Sequence, residues 1–80
     1  PKAAVLYAEA LTELRLPAQA VIFLAPQFER QPGWRKLRVL YARALADSGD
    51  KQRALAVIQP LTDRPDAAPD ELRLATGIAR

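Results

Sequence analysis

Apolar residues recur along this chain at three- and four-residue spacing: Leu6-Tyr7, Ala10-Leu11 and Leu14 first, then Ala20, Val21, Phe23, Leu24 and Phe28. That spacing lines one stripe of an α-helix, and no stretch alternates with the period of two that a strand needs. Five helices are predicted. Pro17 starts the second, since its missing N–H would be unpaired in a first turn anyway. Pro32-Gly33 closes it, and the third runs from about Trp34 to Asp47. Ser48-Gly49-Asp50 then makes a turn in which Gly49 suits the left-handed position and Asp50 can cap the next helix. A fourth helix spans Arg53 to Leu61 and is broken at Asp63-Arg64-Pro65-Asp66; a fifth starts at Pro69. Asp70 and Glu71 then sit at the positive end of its dipole. Pro26 and Pro60 fall inside the second and fourth helices, where a proline costs ~3 kcal/mol. Each is expected to bend or interrupt its helix and re-aim the last turn.

Sliding the chain along itself by 34 residues sets Val5-Leu6-Tyr7-Ala8-Glu9-Ala10-Leu11 over Val39-Leu40-Tyr41-Ala42-Arg43-Ala44-Leu45, with six of seven identical. Lys2 over Lys36, Ala20 over Ala54, Pro26 over Pro60 and Arg30 over Arg64 continue the register without a gap. The ten identities in 34 exceed the about three that an alanine-rich chain gives by chance. A third, partial copy begins near Pro69. The chain divides into one domain of two units, about 1–34 and 35–68, and a fragment, 69–80. Each unit is a helix, a short turn and a second helix. A single hairpin cannot bury both sides of its apolar stripe, so the units should stack. Small residues at Ala8, Ala20, Ala42 and Ala54 would let the rods approach closely. Tyr7 and Tyr41 are expected to be packing residues in like surroundings, and Trp34 to fill a gap between units.

A 34-residue helical hairpin with these offsets resembles the tetratricopeptide repeat. Tyr7, Ala8, Leu11, Ala20, Leu24 and Pro32 carry the likeness in the first unit. Tyr41, Ala42, Leu45, the Gly49-Asp50 turn, Ala54 and Ile58 carry it in the second. The likeness covers nearly the whole chain. Departures are Ala4 and Arg38 at the family's early tryptophan position, Gln27 and Leu61 at its late small residue, and a terminal proline displaced to Pro65. The resemblance implies an all-α solenoid of antiparallel hairpins whose inner face, lined by each unit's first helix, docks a protein or peptide. The inner-face positions it implies are Lys2, Val5, Glu9, Lys36, Val39, Arg43, Asp47 and Arg73. Some relatives grip a C-terminal carboxylate with a lysine and an asparagine four apart. Val5 with Glu9 and Val39 with Arg43 stand at those places, so a free carboxyl end is not the expected feature. Lys36, Arg43 and Arg73 would be available for acidic side chains.

Composition sharpens this picture by exclusion. Sixteen alanines and only five aromatics suit close-packed helices. The absence of cysteine and histidine removes a cysteine nucleophile, the commonest general base and the commonest metal ligand. Glu9 and Glu13 lie one turn apart but on a helix surface, where neither would be desolvated for acid–base work. Neither catalysis nor a cofactor or metal is expected. No apolar run reaches the ~18 residues that span a bilayer. The net charge is +3, with nine arginines, and the densest basic stretch is Arg35, Lys36, Arg38 and Arg43. It reads as a solvated helix surface, because acids follow at Asp47 and Asp50. Helical repeats of similar length that read RNA base by base are the alternative. Leu72, Leu74 and Ile78 of the last helix are expected to lack cover, which predicts self-association there. The lack of methionine suggests a piece of a longer protein. Alanine and arginine together, 25 of 80 residues, suggest a bacterial source, cytoplasmic or periplasmic. There, by family analogy, such chains organise envelope, secretion or polysaccharide machinery.

Overall fold

The computed structural model describes residues 2–79, Lys2 by its backbone alone. All regular structure among them is helical: α1 (Lys2–Glu13), α2 (Pro17–Arg30), α3 (Arg35–Asp47), α4 (Lys51–Thr62) and α5 (Pro69–Ala79). Each helix packs on the next, α1 also lies against α3, and α3 against α5, while α2 and α4 stay apart.

The turn from α3 to α4 follows from Gly49 and Asp50. Gly49 takes φ +97°, which an L side chain resists. That lets its N–H reach Ala46 O (3.1 Å) and the Asp50 N–H reach Leu45 O (2.9 Å), so carbonyls left over at the helix end are satisfied. The Asp50 carboxylate then accepts from the Arg53 N–H at 3.2 Å. Because this cap sits at Asp50, α4 begins at Lys51, two residues before the sequence suggested. Thirty-four residues earlier the same bonds recur: Arg15 N–H to Thr12 O (3.1 Å) and Leu16 N–H to Leu11 O (2.9 Å). Leu14 N–H to Ala10 O matches Ser48 N–H to Ala44 O, and Ala20 N–H to Leu16 O matches Ala54 N–H to Asp50 O. Arg15 takes the place of Gly49 with φ +58°.

Side chains at the same spacing share the core. Ala8 and Ala42, Leu11 and Leu45, Ala20 and Ala54, and Leu24 and Ile58 are all buried. One pair breaks the pattern. Tyr41 is 3 % exposed, its ring 5.1 Å from Phe28 of α2, whereas Tyr7 is 52 % exposed and meets Phe23 edge-on. The expectation of like surroundings for the two tyrosines therefore fails. Leu37 and Ala44 are likewise buried where Ala3 and Ala10 are exposed. The reason is positional: α2 of the preceding unit covers this stripe on α3, whereas on α1 the stripe stays largely exposed, with Tyr7 beside Phe23.

Two further expectations need correction. Of the bend or interruption expected at Pro26 and Pro60, interruption does not occur; α2 runs on to Arg30 and α4 to Thr62. Both prolines are exposed, where water can take up the carbonyl each leaves unpaired. On α5, Ile78 is buried and Leu74 is half-buried against the core, so only Leu72 of the three stays exposed. The last helix turns its apolar stripe inward onto α4, which removes the basis for self-association through Leu74 and Ile78.

Candidate functional site

The seam between α1 and α3 gathers most of the implied inner-face residues. At one end Val5, Leu6 and Glu9 of α1 face Trp34 and Lys36 across a cleft of about 340 Å³. Val5 is buried, Trp34 is half-buried, and Leu6 stays 66 % exposed, so the floor is apolar. Lys36 Nζ stands 4.0 Å from Glu9 Oε1 at the rim, an exposed pair that contributes little energy. Farther along, Arg43 and Asp47 of α3 share a depression of about 580 Å³ with Thr12, Glu13 and Arg15. Val5, Glu9 and Lys36 thus come together, and Arg43 and Asp47 form a second group. Val39 instead packs against the core, and Arg73 lines a separate hollow on α5 with Leu72 and Thr76. The side chain of Lys2 lies outside the described residues. Along the seam Arg15, Lys36 and Arg43 are balanced by Glu9, Glu13 and Asp47.

Half of the basic stretch, Arg35 and Arg38, is not the solvated surface expected of it. Arg38 donates to Pro32 O (2.9 Å through Nη2, 3.2 Å through Nε) and to Val57 O (2.8 Å). Its guanidinium also lies 4.8 Å from the Phe28 ring centre, a cation–π distance. It bridges α2, its connector and α4, at the place where the tetratricopeptide pattern has tryptophan. Arg35, which opens α3, donates to Glu71 through Nε (2.5 Å) and Nη2 (2.6 Å). It also donates to the Asp66 carboxylate (3.2 Å) and the Asp66 carbonyl (2.9 Å). Glu71 is only 4 % exposed and additionally accepts the Ala68 N–H at 2.9 Å, which caps α5. The hydrogen bonds from Arg35 hold the Glu71 carboxyl below its ordinary value of 4.5, although burial opposes this. They lower Asp66 too, and Glu71 in turn raises Arg35 above its already high ordinary value. Lys36 and Arg43 are left as the exposed basic residues of the stretch.

Sequence reasoning missed this triad because its members lie 31 and 36 residues apart. A signal was present in Pro69-Asp70-Glu71: an acid at the third position of a helix can reach back to the residue before it. No buried side-chain nitrogen or oxygen among the described residues lacks a partner. Among them, too, no group of three or more acidic side chains could hold a metal ion, and no helix is long and apolar enough to cross a membrane. Compared with protein-family models, curated proteins and solved structures, the chain matches none.

Proposed function

We propose that this chain is a tetratricopeptide-like segment of an α-solenoid that docks a protein partner along the α1–α3 seam and catalyses nothing itself. The observation that carries the reading is the seam: an apolar floor at Val5, Leu6 and Trp34, rimmed by charges of both signs. Partners that are proteins supply matching apolar and mixed-charge surface. The recurrence of four turn hydrogen bonds at a 34-residue spacing supports the repeat architecture behind it. Packing of α1 on α3 and of α3 on α5 suits a stack in which the first helices of successive hairpins line one side. The partner's place in an envelope, secretion or polysaccharide assembly is part of the proposal and rests on the family likeness alone.

Nucleic acid is the reading the geometry favours less. Two of the four arginines and lysines in the basic stretch are tied to carboxylates, carbonyls and an aromatic ring, and the seam carries no excess of positive charge. One experiment separates the two. The chain, immobilised, is offered cell extract and single-stranded RNA, with a Lys36→Glu, Arg43→Glu double variant alongside. A protein retained by the chain and lost from the variant supports docking at the seam. Retention of RNA that falls steeply between ~50 and 200 mM salt would overturn it, since that slope reports release of counterions from phosphates.

A further inference from the structure

α5 is fastened unlike the helix it matches. Thirty-four residues before Glu71 stands Leu37, an apolar side chain wholly buried in the core. At the corresponding place α5 carries a carboxylate, nearly as deep, that is satisfied by Arg35 from α3 and by the N–H of Ala68. The charged groups around it are Arg35 on α3 and Arg64 and Asp66 on the connector before α5. The apolar hold on α5 is Ile78, with Leu74 and Ala75 half-buried against the core beside it. Of the fourteen buried apolar side chains among the described residues, thirteen belong to α1–α4, and α5 contributes only Ile78. Between α4 and α5 a cleft of about 320 Å³ remains, with Leu55 and Ile58 on one wall and Ala75 and Thr76 on the other.

We propose that α5 is a releasable element pinned by the Arg35–Glu71 pair, so that neutralising Glu71 frees α5 while α1–α4 keep their fold. Protonation of Glu71 removes the charge that makes its two short bonds from Arg35 strong, while Arg35, itself a third exposed, keeps its bonds to Asp66. Glu71 binds its proton less readily in the folded chain than in the unfolded one. Its contribution is therefore complete above the ordinary value of 4.5 and is lost as pH falls through the lower folded value. Departure of α5 would uncover the α4 wall at Leu55 and Ile58.

Hydrogen–deuterium exchange on the whole chain from pH 7 to 3, corrected for intrinsic rates, tests this in the wild type and in Glu71→Gln and Asp66→Asn. In the wild type, amides of residues 72–79 should lose protection below pH 4.5 while those of α1–α4 retain theirs. Glu71→Gln should lower α5 protection at least about tenfold already at pH 7 and flatten its acid dependence, a local opening of the kind such exchange resolves. Asp66→Asn, at an exposed carboxylate, should change it less than about threefold. Parallel loss of protection in α5 and α1–α4 through the acid series would overturn the proposal, as would unchanged α5 protection in Glu71→Gln. Unfolding of the whole Glu71→Gln chain at pH 7 would overturn it as well, because the pair would then hold the molecule and not one helix.

Discussion

Arg15 holds a left-handed backbone, φ +58°, at the place where the next turn uses Gly49. A Cβ in that conformation costs about 1–2 kcal/mol, part of which glycine returns as greater freedom of the unfolded chain. Arg15→Gly should therefore raise stability by about 1 kcal/mol, and Gly49→Ala should lower it by a similar amount. Urea denaturation of both variants checks the pair. Gly49 and Asp50 were legible in the sequence, because their types announce the turn. Arg15 was not, since nothing in an arginine advertises a positive φ until the 34-residue shift lays it over Gly49. Arg38 was hidden for another reason. Its carbonyl partner Val57 lies 19 residues away on a different helix, and no spacing rule reaches that far. Arg38→Ala should cost about 2 kcal/mol, as expected for lost bonds from a charged donor, and Arg38→Lys should not restore it. Thermal melts of the two variants would show this.

At the scale of the helices, periodicity and punctuation showed that five exist and nearly where they begin. They could not show which stripe each helix leaves bare, because that depends on neighbours. Tyr7 and Tyr41 are identical residues in near-identical sequence, yet one is half-exposed beside Phe23 and the other is buried against Phe28. Tyr41→Ala should therefore destabilise by about 3–4 kcal/mol, in the range for buried aromatics, and Tyr7→Ala by less than about 1 kcal/mol. Denaturation midpoints of the two variants would test the difference. The deeper α3 is held by α2 and α4 together, so loss of its aromatic leaves a cavity between layers. On α1 the same truncation only trims a surface contact with Phe23. The buried Glu71 shows a limit of pattern reading too: a helix-start acid was visible, but that it would be desolvated against Arg35 was not.

For the molecule as a whole, the all-helical class and much of the shared core follow from the 34-residue pattern. The seam was only partly legible. Val5, Glu9 and Lys36 come together, while Val39 turns to the core and Arg73 lies on another helix. The likeness supplies positions on one helix at a time and says nothing about how far the third unit's helix sits from the first. The connectors also reveal how the chain keeps time. α2 has 14 residues and α4 has 12. The segment after α4 is longer by the same margin, so α3 and α5 still begin 34 residues apart. Phase is kept by where rods start, not by where they stop. One residue inserted at 48–50, where the N–H groups close the turn onto Ala44, Leu45 and Ala46, would advance α4 by about 100° around its axis and carry Ala54 and Ile58 away from the interior.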